Sequence, residues 1–435
     1  MGVAQRPPAA LRPAVAPVVE GGEVTFVAGG DPSDPPRIVA DFNGWNAAEG
    51  AMERDGATGL YTLRVRLDPA ARIEYLIAYR ERFEVDPRNP LRVPAPTGAP
   101  RSELRMPGYR PPPELPRAAT PGLVQNVPFT SRAGEARRVR VHRPRNATGP
   151  LPVLYVHDGI IAAEEIDMPA MLDALAGAGR MAPIVTVFIN SIDRYDDYSV
   201  GSMFGYVFTG EIVPLIEERY RVVAGARAVL GFSRSTVGAL DAALNGSVAF
   251  ARCGLVAPAM NPPVLAALFK NPPGRTPRVT IAAGTYDIPL IDDATALRRE
   301  LDERRIPVDW LQIPEGHNHT AWRAQLRTLL EAWYPPAQAR GGDLSAPQRP
   351  RREIASALSA SSRGAATSAD LVRRPPRLSP RAGPRSDPRG PHGGPARSMP
   401  QARWRTARRR RRRPPPGRGA PRRTASLPPA ASRPA

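Results

Sequence analysis

Ser233 lies in a segment whose residue types and spacing suit a catalytic nucleophile. The apolar run Val229-Leu-Gly-Phe precedes it, and the apolar spacing that follows predicts a helix just after it. A serine on such a strand-to-helix turn has its Oγ lifted above the sheet, and small neighbours such as Gly231 avoid clashes. The second small position, usually glycine, is here Ser235. A Gly-x-Ser between strand and helix also arises by chance, so the assignment needs a base.

Histidine is the side chain that most often acts as a general base near neutral pH. Of the five histidines, His317 lies in a loop between the predicted strand Val308–Ile313 and the last predicted helix. When the triad follows the chain order serine, acid, histidine, the base comes last, at such a loop. His319 is the competing candidate, and a solvated loop histidine is the alternative for either residue.

An acid is expected between the nucleophile and the base. Asp287 follows the apolar run Val279–Ala283, so it lies just beyond a predicted strand. The order serine, aspartate, histidine is that of the α/β-hydrolases, in which the acid holds the imidazole tautomer and stabilises the imidazolium. Asp292 and Asp293 are alternatives, although the helix dipole alone favours acids in a first helical turn.

An oxyanion hole would use backbone N–H groups near Ser233. One donor is expected from Arg234, the residue after the nucleophile, at the N-terminus of the predicted helix. The other is expected from the turn at 157–160, where Gly159 allows a close backbone approach and Ile160 offers its N–H. An ordinary strand-ending turn is the alternative interpretation of this segment.

Buried strands alternating with helices must position these residues. Near-continuous apolar runs lie at 151–157, 183–190, 226–232 and 278–283, and helical spacing lies at 165–178, 208–219, 235–246, 291–304 and 319–333. Runs of this kind predict a mostly parallel sheet with both faces covered, over residues 122–335.

A different pattern occupies residues 20–95. Short runs there alternate apolar and polar residues, as in Glu23–Ala28 and Tyr61–Leu67, with glycine, proline and aspartate between them. This pattern predicts a small antiparallel β-sandwich. The proline-rich residues 96–121 are predicted to be a linker.

The net charge of +20 on the 435 residues comes from the C-terminal segment, residues 336–435. That segment carries 24 arginines against four acids, whereas the rest of the chain is electrically neutral. Its scarcity of apolar residues predicts disorder. The sequence therefore argues against nucleic-acid binding, since only this basic tail would support it.

Cys253 is the only cysteine, so no internal disulfide can form and a reducing compartment is expected. The N-terminus lacks the apolar core of a signal peptide, and no stretch approaches 18 apolar residues. We therefore expect a cytoplasmic protein with no membrane partner. No cofactor motif is apparent, and the metal alternative for His157, His317 and His319 lacks a supporting Cys/His cluster.

Several motifs in residues 120–335 resemble the Putative esterase family, which includes enterochelin esterase, the ferric-siderophore hydrolase. They are His-Asp-Gly at 157–159, Ile192-Asp-Arg, the run from Phe208 to Val222, the Gly-Phe-Ser turn and Glu-Gly-His followed by Trp322-Arg. Residues 20–95 resemble the early-set sandwich that precedes the hydrolase in such esterases, on Asp41-Phe-Asn-Gly-Trp-Asn and Asp86-Pro-Arg-Asn-Pro.

The resemblance implies an α/β-hydrolase fold and a serine esterase with Ser233, Asp287 and His317 as its triad. A siderophore ester of the enterochelin type is then one candidate for the small-molecule substrate. We expect Arg194 and Trp322 to contact substrate, with a solvated loop arginine as the alternative for Arg194. Trp45 could bind a sugar, but a tryptophan there more often fills the sandwich core. The alternative function is a catalytically inactive binding or scaffold protein that keeps the fold.

Overall fold

The structure, a computed structural model, describes residues 17–80, 82–94, 100–145 and 147–336. The predicted disorder of the tail therefore concerns residues that lie, apart from Pro336, outside the described part. Its strands are β1 (Val18–Glu20), β2 (Glu23–Ala28), β3 (Arg37–Ala40), β4 (Glu53–Arg54), β5 (Tyr61–Arg66), β6 (Arg72–Ala78), β7 (Phe83–Glu84), β8 (Arg92–Val93), β9 (Arg101–Arg105), β10 (Leu123–Thr130), β11 (Ala136–Arg143), β12 (Leu151–His157), β13 (Val185–Ile189), β14 (Val222–Phe232), β15 (Arg252–Val256), β16 (Arg278–Tyr286) and β17 (Val308–Gly316).

The α-helices all belong to the C-terminal two thirds of the described residues. They are α1 (Met168–Gly177), α2 (Arg194–Asp197), α3 (Met203–Val207), α4 (Val213–Arg219), α5 (Ser235–Asn245), α6 (Pro262–Leu268), α7 (Leu290–Glu303) and α8 (His319–Trp333). The predicted helix at 208–219 begins instead with a π-helical turn, Phe208–Ile212, before α4. None of these helices is long and apolar enough to span a membrane.

The larger sheet has eight strands in the order β10-β11-β13-β12-β14-β15-β16-β17. The strands β10 and β11 are antiparallel, and β12 to β17 run parallel to one another. Neighbouring residues of one strand enter separate cores on the two faces, as Leu154 and Tyr155 do. Both faces are buried, which explains the continuous apolar runs in the sequence. The predicted α/β-hydrolase fold is confirmed.

The N-terminal region forms two antiparallel sheets, β1-β2-β5-β4 and β3-β6-β9-β8, with β7 paired to β6. Phe26, Ile38 and Tyr75 belong to one core that both sheets share, so the region is a β-sandwich, as predicted. One boundary differs from the prediction. The strand β9 lies inside the range 96–121 that was predicted to be a linker, because Ser102 and Leu104 are buried within that proline-rich stretch.

Candidate active site

Ser233 lies between the end of β14 and the start of α5, with a backbone φ of 50°. A non-glycine residue with a positive φ is uncommon and stores strain, which is often found at functional sites. Its N–H donates to the carbonyl oxygen of Val256 at 2.9 Å, and its carbonyl oxygen accepts from Thr236 N–H at 3.1 Å. The sequence prediction of a strained strand-to-helix turn at Ser233 agrees with this backbone.

Ser235 stabilises the same turn from inside the protein. Its side chain is fully buried, and its Oγ accepts from Phe232 N–H at 2.8 Å and donates to the Phe232 carbonyl oxygen at 2.9 Å. Ser235, at the position where a glycine is usual, therefore fixes the backbone of Phe232, the residue before Ser233. A hydroxyl that satisfies both backbone groups of Phe232 explains why serine fits here.

Asp287 and His317, the predicted acid and base, are in direct contact. Asp287 follows β16 directly, is 2% exposed, and its Oδ1 lies 2.8 Å from His317 Nδ1. His317 follows β17, and its side chain is 32% exposed. A carboxylate acceptor makes Nδ1 the protonated nitrogen of a neutral imidazole, so Nε2 becomes the nitrogen that can accept a proton.

Trp322 of α8 links this pair to the nucleophile turn. Its ring centroid lies 4.8 Å from that of His317, edge to face, and 5.7 Å from that of Phe232, which precedes Ser233. The side chain is 5% exposed. Trp322 was expected to contact substrate, but it has little surface left for one. Its contacts make it a support for the imidazole.

The three predicted triad residues follow strands of one parallel sheet. In the sheet, β14, β15, β16 and β17 are consecutive neighbours, and Ser233, Asp287 and His317 follow β14, β16 and β17. Carboxyl ends of parallel strands meet at one edge, where open α/β sheets place their sites. A hydrogen bond between Ser233 Oγ and His317 Nε2 stays a prediction.

The competing candidates have other partners. His319 Nδ1 lies 3.2 Å from Glu165 Oε2, and burial, with a smaller effect from the neighbouring His317, lowers the pKa of His319 to about 4. Asp292 and Asp293 lie in the first turn of α7, as expected from the helix dipole. The structure therefore favours His317 and Asp287 as the base and the acid.

The turn after β12 approaches the sheet closely. Asp158 has a φ of 55°, and a Cβ added to Gly159 would lie 2.6 Å from Ile189 N on the neighbouring strand β13. Ile160 begins a helical turn and is 36% exposed, while Arg234 is the N-cap of α5. The assignment of the Ile160 and Arg234 N–H groups to an oxyanion hole stays a prediction.

Arg194 of α2 holds the same turn. Its Nε and Nη2 donate to the two carboxylate oxygens of Asp158 at 2.9 and 2.6 Å, a bidentate pair. The Asp158 side chain is 4% exposed and that of Arg194 is 41% exposed. Arg194 was expected to contact substrate, and that role stays a prediction. Its observed contact is with the predicted oxyanion turn.

A cationic and aromatic surface lies beside the nucleophile. Arg234 donates from Nη2 to the Tyr195 carbonyl oxygen at 3.3 Å, and its guanidinium lies 5.5 Å from the centre of the Tyr195 ring. Arg234 Nε is buried and has no hydrogen-bond partner, whereas Tyr195 is 69% exposed. An unpaired guanidinium N–H at this place favours an acidic or strongly polar ligand group.

The N-terminal sandwich also contacts the candidate site, through a contact at Gly44 that sequence reasoning missed. Trp45 Nε1 donates to Asp41 Oδ1 at 3.1 Å, and the Arg101 guanidinium lies 4.5 Å from the centre of the Trp45 ring. The Asn43-Gly44 pair of the same motif lies at a 3-10 turn, Asp41–Asn43, with Gly44 at its C-terminus. Gly44 packs against the carbonyl oxygen of Ile288, the residue after Asp287, where an added Cβ would lie only 2.9 Å away.

With this geometry established, comparison with known families identifies the class of the domain. The model of the Putative esterase family matches residues 130–333. That range includes the turn at Ser233 together with Asp287 and His317. Residues 130–333, slightly less than half of the chain, are therefore similar to this esterase family. Among curated proteins, none matches the chain at a significant level.

Solved structures show the same fold over both regions. The enterobactin esterase of Shigella flexneri, solved in the presence of enterobactin, is 20% identical, with a TM-score of 0.56 over 72% of this chain and 92% of that one. The ferric enterobactin esterase of Salmonella typhimurium is 19% identical, with a TM-score of 0.58 over 72% of this chain and 93% of that one. At these identities the similarity establishes the fold.

Proposed function

We propose that this chain is a serine esterase that hydrolyses a carboxylic ester of a small molecule. Ser233 is the nucleophile, His317 the base and Asp287 the acid that orients it. The observation that carries the proposal is the 2.8 Å pair between His317 Nδ1 and Asp287 Oδ1, at the same sheet edge as a serine with a φ of 50°. The match of residues 130–333 to the model of an esterase family supports the same function.

In the acylation step, Ser233 Oγ attacks the carbonyl carbon of the ester while His317 Nε2 takes the hydroxyl proton. The backbone N–H groups of Arg234 and Ile160 donate to the oxyanion of the tetrahedral intermediate. The intermediate then collapses, the bond to the alcohol oxygen breaks, and His317 gives its proton to the leaving alkoxide. Asp287 stabilises the imidazolium throughout this step.

Deacylation repeats the sequence with water as the nucleophile. His317 Nε2 takes a proton from water as the oxygen attacks the acyl carbon of the Ser233 ester. The second intermediate releases the carboxylic acid, and the proton returns from His317 to Ser233 Oγ. Residues 122–335 carry this chemistry in the proposal.

The substrate we infer is an aromatic, strongly polar ester of the siderophore type. Arg234, with its unpaired Nε, and the exposed ring of Tyr195 lie beside the nucleophile and suit a catechol or carboxylate group. The similar structures are enterobactin esterases, which supports the same class. A cytoplasmic site of action, expected from the single cysteine, stays part of the proposal.

Fluorophosphonate labelling of the full chain tests the nucleophile. The wild type is expected to react covalently and to hydrolyse p-nitrophenyl butyrate, whereas Ser233→Ala does neither. Ser33→Ala, at an exposed serine in the sandwich, is the matched control and should behave as the wild type. An unlabelled, inactive wild type would favour the catalytically inactive scaffold. Faster hydrolysis of enterobactin than of the butyrate ester is expected for the substrate class.

A further inference from the structure

The sandwich contacts both loops that carry the acid and the base. Asp68 N–H donates to the hydroxyl of Tyr286, the residue before Asp287, at 2.8 Å. Gly316, the residue before His317, packs so closely on Asp41 that an added Cβ would lie 2.3 Å from the Asp41 Cβ. Two loops of the α/β domain are therefore in direct contact with the N-terminal region.

A buried arginine makes the strongest of these contacts. Arg72 of β6 is 1% exposed, and its Nη1 donates to Glu315 Oε2 at 3.1 Å and to Asn318 Oδ1 at 3.2 Å. Within the sandwich, Arg72 also donates to Glu74 at 2.9 Å and to Glu103. Glu315 and Asn318 lie on the two sides of His317, so one guanidinium holds both ends of the base loop.

Asn318 is held from a second direction. Its Nδ2 donates to Asp41 Oδ2 at 3.2 Å, and the same Asp41 oxygen accepts from Glu74 N–H at 2.8 Å. The Asn318 Oδ1 also accepts from Ala321 N–H at 2.9 Å and so caps α8. Both polar atoms of the Asn318 side chain are therefore engaged, Nδ2 with the sandwich and Oδ1 with both the sandwich and the helix that follows His317.

Buried charges of this kind are a poor source of stability. Desolvation offsets most of the attraction, and well-packed apolar residues often stabilise a protein as much or more. What such a network provides is one defined geometry, because any displacement leaves a buried charge without its partner. The geometry defined here is that of the segment 315–318, which contains the base.

We propose that Arg72 is a positioning residue for catalysis, through which the N-terminal sandwich holds His317 in register with Asp287. The proposal rests on the esterase function proposed above. It assigns the sandwich a part in turnover that is separate from substrate binding. Arg72 acts through Glu315 and Asn318 and touches no reacting atom.

Steady-state kinetics on a small ester separate positioning from binding. In the full chain, Arg72→Met should lower kcat for p-nitrophenyl butyrate by about 10²-fold, the scale of an ångström-sized misplacement, with KM within about twofold. Arg72→Lys, which keeps the charge and an N–H donor group but loses the planar guanidinium fork, should recover part of that loss. Arg64→Met, at an exposed arginine of β5, is the control and should match the wild type. A folded Arg72→Met with unchanged kcat would overturn the proposal.

Two further measurements test the proposal if Arg72→Met does not fold or if the wild type is inactive. Glu315→Met removes the acceptor of the same contact if Arg72→Met does not fold, and a wild-type kcat in folded Glu315→Met would equally overturn the proposal. The proton between His317 Nδ1 and Asp287 gives a downfield NMR resonance that does not depend on turnover. Its loss in Arg72→Met, with retention in Arg64→Met, supports positioning even if the wild type proves inactive, and its retention in both contradicts it.

Discussion

Ser233 and His317 follow strands of one sheet, but the contacts that hold them come from different parts of the chain. The side chains that bond the backbone of the Ser233 turn are near in sequence: Ser235 Oγ bonds Phe232, and the Thr236 hydroxyl donates to the Ser233 carbonyl oxygen at 2.5 Å. The segment that contains His317 is instead held by Arg72, which is 243 residues from Glu315 and 246 from Asn318. The nucleophile turn is locally built, whereas the base loop depends on another domain.

Loss of activity can therefore originate in two places, the nucleophile turn or the base loop. A defect in the hydrogen bonds of the nucleophile turn arises from side chains within residues 231–236, and it should affect every ester alike. A defect in the base loop can originate in the sandwich, far along the chain. Changes to Ser235 and to Arg72 should therefore add in stability, provided that Trp322, which contacts both Phe232 and His317, keeps its position.

Removal of either catalytic side chain should have the largest effect. Ser233→Ala and His317→Ala should each lower kcat by at least about 10⁴-fold, and the double variant should be little worse than either, because the residues act as one unit. Initial rates on p-nitrophenyl butyrate measure the loss. The melting temperature should change little, since both side chains are partly exposed.

His319→Ala is the control for that comparison. His319 contacts Glu165 and Trp322, so its loss should cost far less activity than the loss of His317. If His319→Ala abolished turnover and His317→Ala did not, the base would have been assigned to the wrong histidine. The pair Asp287–His317 would then be structural.

The locally built features are those that could be predicted from the sequence. The strand Glu23–Ala28, the strand 151–157 and the helix 319–333 match β2, β12 and α8 residue for residue. Each has an uninterrupted hydrophobic period, which is the primary signal in a sequence. Asp287 and His317 could be assigned because each directly follows such a strand, and their 2.8 Å contact agrees with that assignment.

The contacts between the two domains could not be predicted in the same way. Glu74 is buried in the middle of β6, but a charged residue within a strand does not reveal its partner. Pairing Arg72 with Glu315 requires the relative placement of the two domains, which no local pattern contains. For the same reason, the contacts of Arg194 with Asp158 and of Trp322 with His317 could not be predicted, and a substrate contact of either residue stays a prediction.

Ser235→Gly tests how far the nucleophile turn depends on the Ser235 hydroxyl. The change restores a glycine at the second small position, but it removes two hydrogen bonds of a fully buried hydroxyl. We expect the free energy of unfolding to fall by about 2 kcal/mol, from the unsatisfied Phe232 groups and the glycine in a helix. Urea unfolding measures it, with the exposed Ser33→Gly as control. Wild-type stability in Ser235→Gly would show that the hydroxyl is dispensable.

Arg194→Leu tests whether Arg194 positions the predicted oxyanion turn or contacts substrate. If Arg194 positions that turn through Asp158, its loss should lower kcat about tenfold with little change in KM, because a buried carboxylate loses its partner and the turn shifts. A substrate contact would instead raise KM for an anionic ester. Both constants should be measured on p-nitrophenyl butyrate and on enterobactin. Arg132→Leu, at an exposed loop, is the matched control.

The buried charges at the base loop should make stability depend on pH. The cluster contains four carboxyl groups and three guanidinium groups: Asp41, Glu74, Glu103 and Glu315 against Arg72, Arg101 and Arg105. Burial raises the pKa of Asp41 to about 7, reinforced by the charge of Glu74. Burial also raises the pKa of Glu315 to about 7, against the attraction of Arg72. At a pH between the unfolded and the folded pKa values, the folded protein therefore retains a proton that the unfolded chain has released.

A carboxyl group whose pKa is raised on folding gives stability that is full below its unfolded pKa and is lost as the pH rises through its folded pKa. Burial lowers the pKa of both His157 and His319 to about 4, which makes stability rise up to about pH 6.5 and hides the carboxyl effect there. Above pH 6.5 the carboxyl effect exceeds what remains of the histidine effect, so urea unfolding should show a net loss of about 1 kcal/mol by pH 8. Asp41→Asn combined with Glu315→Gln should flatten that decline, and an unchanged slope in the double variant would place the titrating groups elsewhere.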